Sequence, residues 1–242
     1  TSGNTGMAVA MLAAIRGYRA CLVMSEIQSL ERRQVLGALG ADLRLTPASK
    51  GTRGAREEAK RLAKEHGWFY LGQHDNPANA AAHEATTGPE LWEATDGQID
   101  VLVSGLGTGG TLTGTGRYLK EQSPDIRVIA AAPHPGDMVQ GLRSLEEGYI
   151  PPVFDESVLD GRIVVDSETS FKVTKELAQT VGIFAGISSG AAVRAAQRAA
   201  ERMDSGKIVV LLADGGWKYL STGLWTRDYA DIIEDVGEKL WW

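Results

Sequence analysis

The chain has 242 residues, 43% of them hydrophobic and 23% charged, with a formal net charge of -6. This length allows one large domain or two smaller ones with ample core, which excludes a disulfide-stapled miniprotein, and the negative balance argues against nucleic-acid partners. The single cysteine, Cys21, lies in an apolar run and reads as a buried small hydrophobe of a cytoplasmic protein.

Along the chain, helical patterns alternate with apolar runs of strand length. Helix-like 6–16 precedes strand-like 18–24, 29–39 precedes 41–45, and 54–65 precedes 68–71. Further strands are expected at 101–104, 126–132, 163–165 and 208–213, with helices at 111–121, 167–181 and 189–203. Continuous apolar strands are buried on both faces, as in parallel sheets covered by helices, so the fold class is α/β with mostly parallel sheets. Turn chemistry at Gln73-His74-Asp75-Asn76-Pro77 suggests a division into a smaller domain, 1–77, and a larger one, 78–242. No run reaches the roughly 20 apolar residues that cross a bilayer, so no membrane partner is expected.

The most informative local feature is Gly105-Leu106-Gly107-Thr108-Gly109-Gly110-Thr111, where a buried strand ends and a helix begins. Amides at such a turn point outward and the helix end adds partial positive charge, so the loop suits a phosphate without any lysine. Gly105, Gly107 and Gly110 also satisfy G-x-G-x-x-G, but the next strand ends Ala130-Ala131-Ala132-Pro133 and lacks the acid that a dinucleotide ribose needs. The Gly-Lys-Ser/Thr ending of a Walker loop is absent as well. Two further turns have similar character. At 1–6, Ser2, Asn4 or Thr5 can cap the following helix or, with the free amides, hold a carboxylate. At Gly186-Ile187-Ser188-Ser189-Gly190, capping accounts for one serine but not two. The spacing there matches a nucleophile elbow, without its strand context. His83-Glu84 lacks the second histidine of a zinc helix, and no metal site is expected.

In this order, Thr1-Ser2-Gly3-Asn4-Thr5-Gly6, Gln73 with Asn76-Pro77-Ala78-Asn79, Thr87-Gly88-Pro89-Glu90, Gly107-Thr108-Gly109-Gly110-Thr111 and Gly186-Ile187-Ser188-Ser189-Gly190 resemble the cysteine synthase family. The resemblance runs from residue 1 to about 225 and implies pyridoxal 5'-phosphate as cofactor. It also implies two three-layer α/β domains, the type II fold shared with tryptophan synthase β. By it, Gly107, Thr108, Gly109, Gly110 and Thr111 would hold the cofactor phosphate, Asn4 the phenolic oxygen and Ser188 the pyridine nitrogen. Thr1, Ser2, Gly3 and Thr5, with Gln73, would clamp the α-carboxylate of an amino-acid substrate.

The family's Schiff-base lysine sits upstream of the Thr-Ser-Gly-Asn-Thr-Gly turn, whereas the lysines here, from Lys50 to Lys239, all lie downstream of it. The expectation is therefore a missing upstream segment, no catalytic residue in this chain, and no activity from it alone. The stretches Asp214-Gly215-Gly216-Trp217-Lys218-Tyr219 and Gly141-Leu142-Arg143-Ser144-Leu145 look closest to the O-phosphoserine sulfhydrylases. In that branch Arg143 would meet the substrate phosphate, its guanidinium fork matching the anion. The bland alternative is a solvated arginine pairing with Glu146 or Glu147. The resemblance further implies a homodimer, a thiocarboxylated carrier protein as possible sulfur donor, and a tail ending in Trp241 and Trp242 that either anchors on a surface or folds over the active site. O-acetylserine sulfhydrylase, cystathionine β-synthase and serine/threonine dehydratase share the scaffold. A lysine-less anion-binding or regulatory module is the alternative from another class.

Overall fold

A computed structural model describes residues 1, 3–137 and 139–236, with the side chains of Glu147 and of 233–236 left aside. Its elements run α1 (Asn4–Arg16), β1 (Cys21–Ser25), α2 (Leu30–Ala38), β2 (Asp42–Thr46), α3 (Gly51–His66), α4 (Ala78–Ala85), α5 (Thr87–Ala94), β3 (Val101–Gly105), α6 (Gly110–Gln122), β4 (Arg127–Ala132), β5 (Gly161–Val164), α7 (Ser167–Glu176), α8 (Ile187–Ala200), β6 (Ile208–Leu211) and α9 (Tyr229–Val236). A single π-helical turn, Leu177–Val181, ends the α7 stretch. Among the described residues no helix is long and apolar enough to cross a membrane.

The chain divides into two compact units, Thr1–Leu71 with the residues from Asp214 on, and Gly72–Ala213. The first break lies close to the expected one at residue 77. The second was not foreseen, because 78–242 reads as one domain. The tail returns through bonds to α2: Ser29 Oγ donates to the Lys218 carbonyl at 2.7 Å, and Ser221 N and Oγ donate to the Glu31 carboxylate at 2.6 and 2.8 Å. Partners about 190 residues apart leave no local pattern to read.

In the first unit β1 and β2 pair in parallel, Cys21 opposite Asp42. Met7 and Ala10 of α1 and Leu36 of α2 pack with Leu22 and Met24 of β1 to form its core. Two expectations fail here. Residues 68–71 form no strand, since β1 and β2 pair only with each other and Phe69 is 84% exposed. An apolar run becomes a strand only beside a partner that takes its ladder bonds, and instead Trp68 closes the end of α3 by donating to the Ala63 carbonyl at 2.9 Å. Cys21, at the start of β1, is only partly buried.

In the second unit the strand order is β5-β4-β3-β6, all pairs parallel. β3 is buried along its run and β4 after its first residue, while the edge strands β5 and β6 are partly exposed. Leu102 and Leu106, Leu112 and Leu119 of α6, and Val128 of β4 form one core with Phe154. The chain leaves central strand β3 at its carboxyl end and enters α6 through the glycine loop. In open parallel sheets this is where ligands collect.

Candidate functional site

The glycine loop is shaped for close approach. Gly109, the residue before α6, has φ +84°, a left-handed conformation that disfavours any side chain, and a Cβ there would stand 2.5 Å from Phe154 Cδ2. A Cβ on Gly107 would stand 2.8 Å from the Gly141 carbonyl oxygen. Among the described residues no acceptor faces the amides of Gly107, Thr108, Gly109 or Thr111. These are the orphan donors of a helix start, and together they can hold an anion.

Hydroxyls complete the cradle. Thr108 Oγ1 accepts from Asn79 Nδ2 at 3.1 Å and from the Gly110 amide at 3.3 Å. A hydroxyl has two lone pairs and one proton, so with both pairs engaged the Thr108 proton is left for a ligand. Asn79 is itself fixed, donating to the Gln73 carbonyl at 2.7 Å. Thr111 Oγ1 lies 3.1 Å from His83 Nε2, and His83 Nδ1 lies 2.9 Å from Thr87 Oγ1. Burial lowers the His83 pKa below its ordinary value, which favours the neutral ring. A neutral imidazole has one donor and one acceptor, so it joins the two threonine hydroxyls in a single directed chain.

Ser188 belongs to the same cluster. It lies in the first turn of α8, is 5% exposed, and its hydroxyl makes no hydrogen bond among the described residues. A Cβ placed on Gly141 would lie 3.7 Å from both its Cβ and its Oγ. Gly141 thus touches the loop through Gly107 on one side and Ser188 on the other. Arg143 is two residues further on; its amide donates to the Leu106 carbonyl at 2.7 Å, and its guanidinium carbon lies 5.0 Å from the centre of the Tyr149 ring. Of its two expected alternative partners, Glu146 lies 2.6 Å from Arg162, and the side chain of Glu147 is outside the description.

In the first unit, α1 starts at Asn4 without any side-chain cap, so neither Asn4 nor Thr5 takes the capping role. Asn4 is exposed, Thr1, Gly3 and Thr5 are half-buried, and Ser2 lies outside the described residues. Asn4 Oδ1 accepts from Lys218 Nζ. Gln73, expected beside this turn, belongs to the second unit. Trp241 and Trp242 also lie outside the described residues.

Sequence reasoning named the loop, Ser188 and Arg143, which lie in one unit, but gave no role to Gly141, Asn79, His83 or Lys218. Asn79 carried a usable signal, its place in the quoted Asn-Pro-Ala-Asn motif. His83 was weighed only as a metal ligand.

The donor set of this unit suits a phosphate with a further hydrogen-bonding group beside it. The phosphate finds four free amides and a hydroxyl proton, and beside them stands a buried serine with an unused hydroxyl. The sequence pattern of the pyridoxal-phosphate dependent enzymes matches residues 1–214. A cysteine synthase of Staphylococcus aureus is 43% identical over 237 residues, covering 94% of this chain and 76% of the relative. Among solved structures, a cysteine synthase of Entamoeba histolytica superposes with a TM-score of 0.86 at 34% identity, over 99% of this chain and 75% of that one. An O-ureido-L-serine synthase superposes with a TM-score of 0.87 at 38% identity, over 97% and 78%. The chain belongs to the cysteine synthases of the pyridoxal-phosphate dependent enzyme family.

Proposed function

We propose that this chain carries the coenzyme and substrate sites of a cysteine synthase that replaces the phosphate of O-phosphoserine with sulfur. When bound, pyridoxal 5'-phosphate supplies an electron sink for the substrate α-carbon. The loop Gly107, Thr108, Gly109, Gly110 and Thr111 would hold the coenzyme phosphate, through the amides of Gly107, Thr108, Gly109 and Thr111 and the Thr108 hydroxyl, with the Gly110 amide fixing that hydroxyl. Ser188 would face the pyridine nitrogen with a neutral hydroxyl, a partner that favours an unprotonated ring and suits loss of a β-substituent. Asn4 donates to the phenolic oxygen. Thr1, Ser2, Gly3 and Thr5, with Gln73, bind the substrate carboxylate.

The observation that carries the coenzyme reading is the set of unpaired amides in a loop brought by Gly141 next to Ser188. Arg143 carries the choice of substrate. Its backbone is tied to Leu106, beside the loop, and its guanidinium carbon lies 5.0 Å from the centre of the Tyr149 ring. A fixed guanidinium fork stabilises a departing phosphate and does little for acetate. The protein works in the cytoplasm as a homodimer, with sulfide or a thiocarboxylated carrier protein as sulfur donor.

Turnover of O-phosphoserine and of O-acetylserine by the Arg143→Ala holoenzyme tests the substrate. We expect kcat/KM for O-phosphoserine to fall about 100-fold, the order of a lost charge-assisted bond, with O-acetylserine nearly unaffected. An equal loss for both makes O-acetylserine the substrate reading that stands.

A further inference from the structure

Lys218 has no part in the chemistry above, yet it is among the most firmly held charged groups of its unit. Its side chain is 12% exposed, and its ammonium lies 3.7 Å from the carboxylate of Asp214, a side chain 2% exposed. The same carboxylate oxygen accepts from Tyr219 Oη at 3.0 Å. The Tyr219 ring in turn lies beneath Arg32, whose guanidinium carbon is 4.5 Å from the ring centre and whose Nη1 donates to Gln28 Oε1 at 2.9 Å. The Lys218 carbonyl is tied to Ser29 on α2. From this anchored position the ammonium donates to Asn4 Oδ1.

That contact decides which end of the Asn4 carboxamide is which. An ammonium has three donors and no acceptor, so only the amide oxygen can face it, and Nδ2 with its two protons is left for a ligand. Without such a neighbour an exposed asparagine can flip and offer either a donor or an acceptor. A fixed donor complements an anionic oxygen. We propose that Lys218 is a positioning residue that holds Asn4 as a hydrogen-bond donor to the phenolic oxygen of the coenzyme and so favours the anionic form of that oxygen. This rests on the reading of Asn4 given under Proposed function.

The test uses the full-length holoenzyme with Asn4→Ala, Asn4→Asp, Lys218→Met, Lys218→Arg and the double variant Asn4→Ala/Lys218→Met. Three quantities are measured: the dissociation constant of pyridoxal 5'-phosphate, the ratio of the anionic to the neutral coenzyme absorption band, and, in coenzyme-free protein, the side-chain amide resonances of selectively labelled Asn4. We expect Asn4→Ala and Lys218→Met to weaken binding by about tenfold and about fivefold, and Lys218→Met to lower the band ratio. Lys218→Met should also move the Asn4 amide pair to the positions of a freely rotating side chain. Lys218→Arg should restore all three readouts, and the double variant should bind no worse than Asn4→Ala alone.

Asn4→Asp guards against a Lys218→Met protein that does not fold. The new carboxylate keeps an ion pair with Lys218 but has no proton to donate, so it should stay folded and bind coenzyme more than about tenfold weaker. Coenzyme binding and spectrum unchanged in Asn4→Ala would overturn the placement of Asn4, and the inference with it. Undiminished binding by Asn4→Asp would overturn the donor role of Asn4 and the inference with it, whereas a normal Asn4→Ala effect combined with wild-type behaviour of Lys218→Met, or additive losses in the double variant, would overturn the role of Lys218 alone.

Discussion

The start of α1 in the first unit and the start of α6 in the second present the same raw material, glycines and hydroxyl or amide side chains ahead of an apolar helix, yet their neighbours treat them differently. Around α6, Asn79, His83 and Gly141 each meet the loop, and the hydroxyls of Thr108 and Thr111 have their lone pairs or protons already assigned. Around α1, Asn4 is exposed, the helix has no side-chain cap among the described residues, and the Lys218 ammonium meets Asn4. The α6 loop is therefore preorganised by its neighbours, whereas Asn4 at the α1 turn stands exposed with its amide protons facing away from Lys218.

Glycine replacements break this contrast most strongly. Gly109→Val puts a β-branched residue at φ +84° and drives its Cβ into Phe154, and should cost about 3 kcal/mol in urea unfolding while abolishing coenzyme retention. Gly3→Ala meets nothing nearer than Arg32 Nε at 3.8 Å and has extended backbone, so its cost should stay below about 1 kcal/mol. A smaller contrast comes from the hydroxyls. Thr108→Val removes the hydroxyl proton left for a ligand and one of the two acceptors of Asn79 Nδ2, so coenzyme affinity should fall about 10- to 30-fold by fluorescence titration. Thr5→Val should leave coenzyme affinity within about twofold and act on the KM of the amino-acid substrate.

These differences were unevenly legible in the sequence. The α6 loop could be read because everything that defines it is local: a buried strand, spaced glycines and the helix that follows. The sheet behind it was legible for the same reason, since the runs ending in Ser104 and Ala132 are continuously apolar. Residues 68–71 have the same apolar character but no strand beside them among the described residues, and pairing is not a local property. The helices α4 and α5 escaped because each spans only 8 residues and carries few large apolar side chains to mark a stripe. Lys218 could not be matched to Asn4 at all, because 214 residues separate them and only the return of the tail onto α2 brings them together.

The smallest expected effect separates the two sites by pH. Burial lowers the His83 pKa below 6.5, so as pH falls past that value the unfolded chain takes up the proton while the folded ring stays neutral. Stability is therefore lost as the pH drops below 6.5, and the loss ends at the lowered folded-state value, where the buried ring is protonated too. The α1 turn responds at the opposite end of the scale. Burial lowers the Lys218 pKa from 10.5, with Asp214 acting against the shift, so the folded ammonium gives up its proton before an exposed lysine would. Rising pH thus removes the charge that orients Asn4 and leaves the His83 chain untouched. Urea midpoints at pH 7.5 and 5.5 should differ more in the wild type than in His83→Gln, by less than about 1 kcal/mol. Coenzyme affinity on the alkaline side should fall at lower pH in the wild type than in Lys218→Arg, whose guanidinium keeps its charge. If His83→Gln shifted the alkaline limb, or Lys218→Arg the acid one, the two turns would be coupled and the contrast between a preorganised loop and an exposed turn would fail.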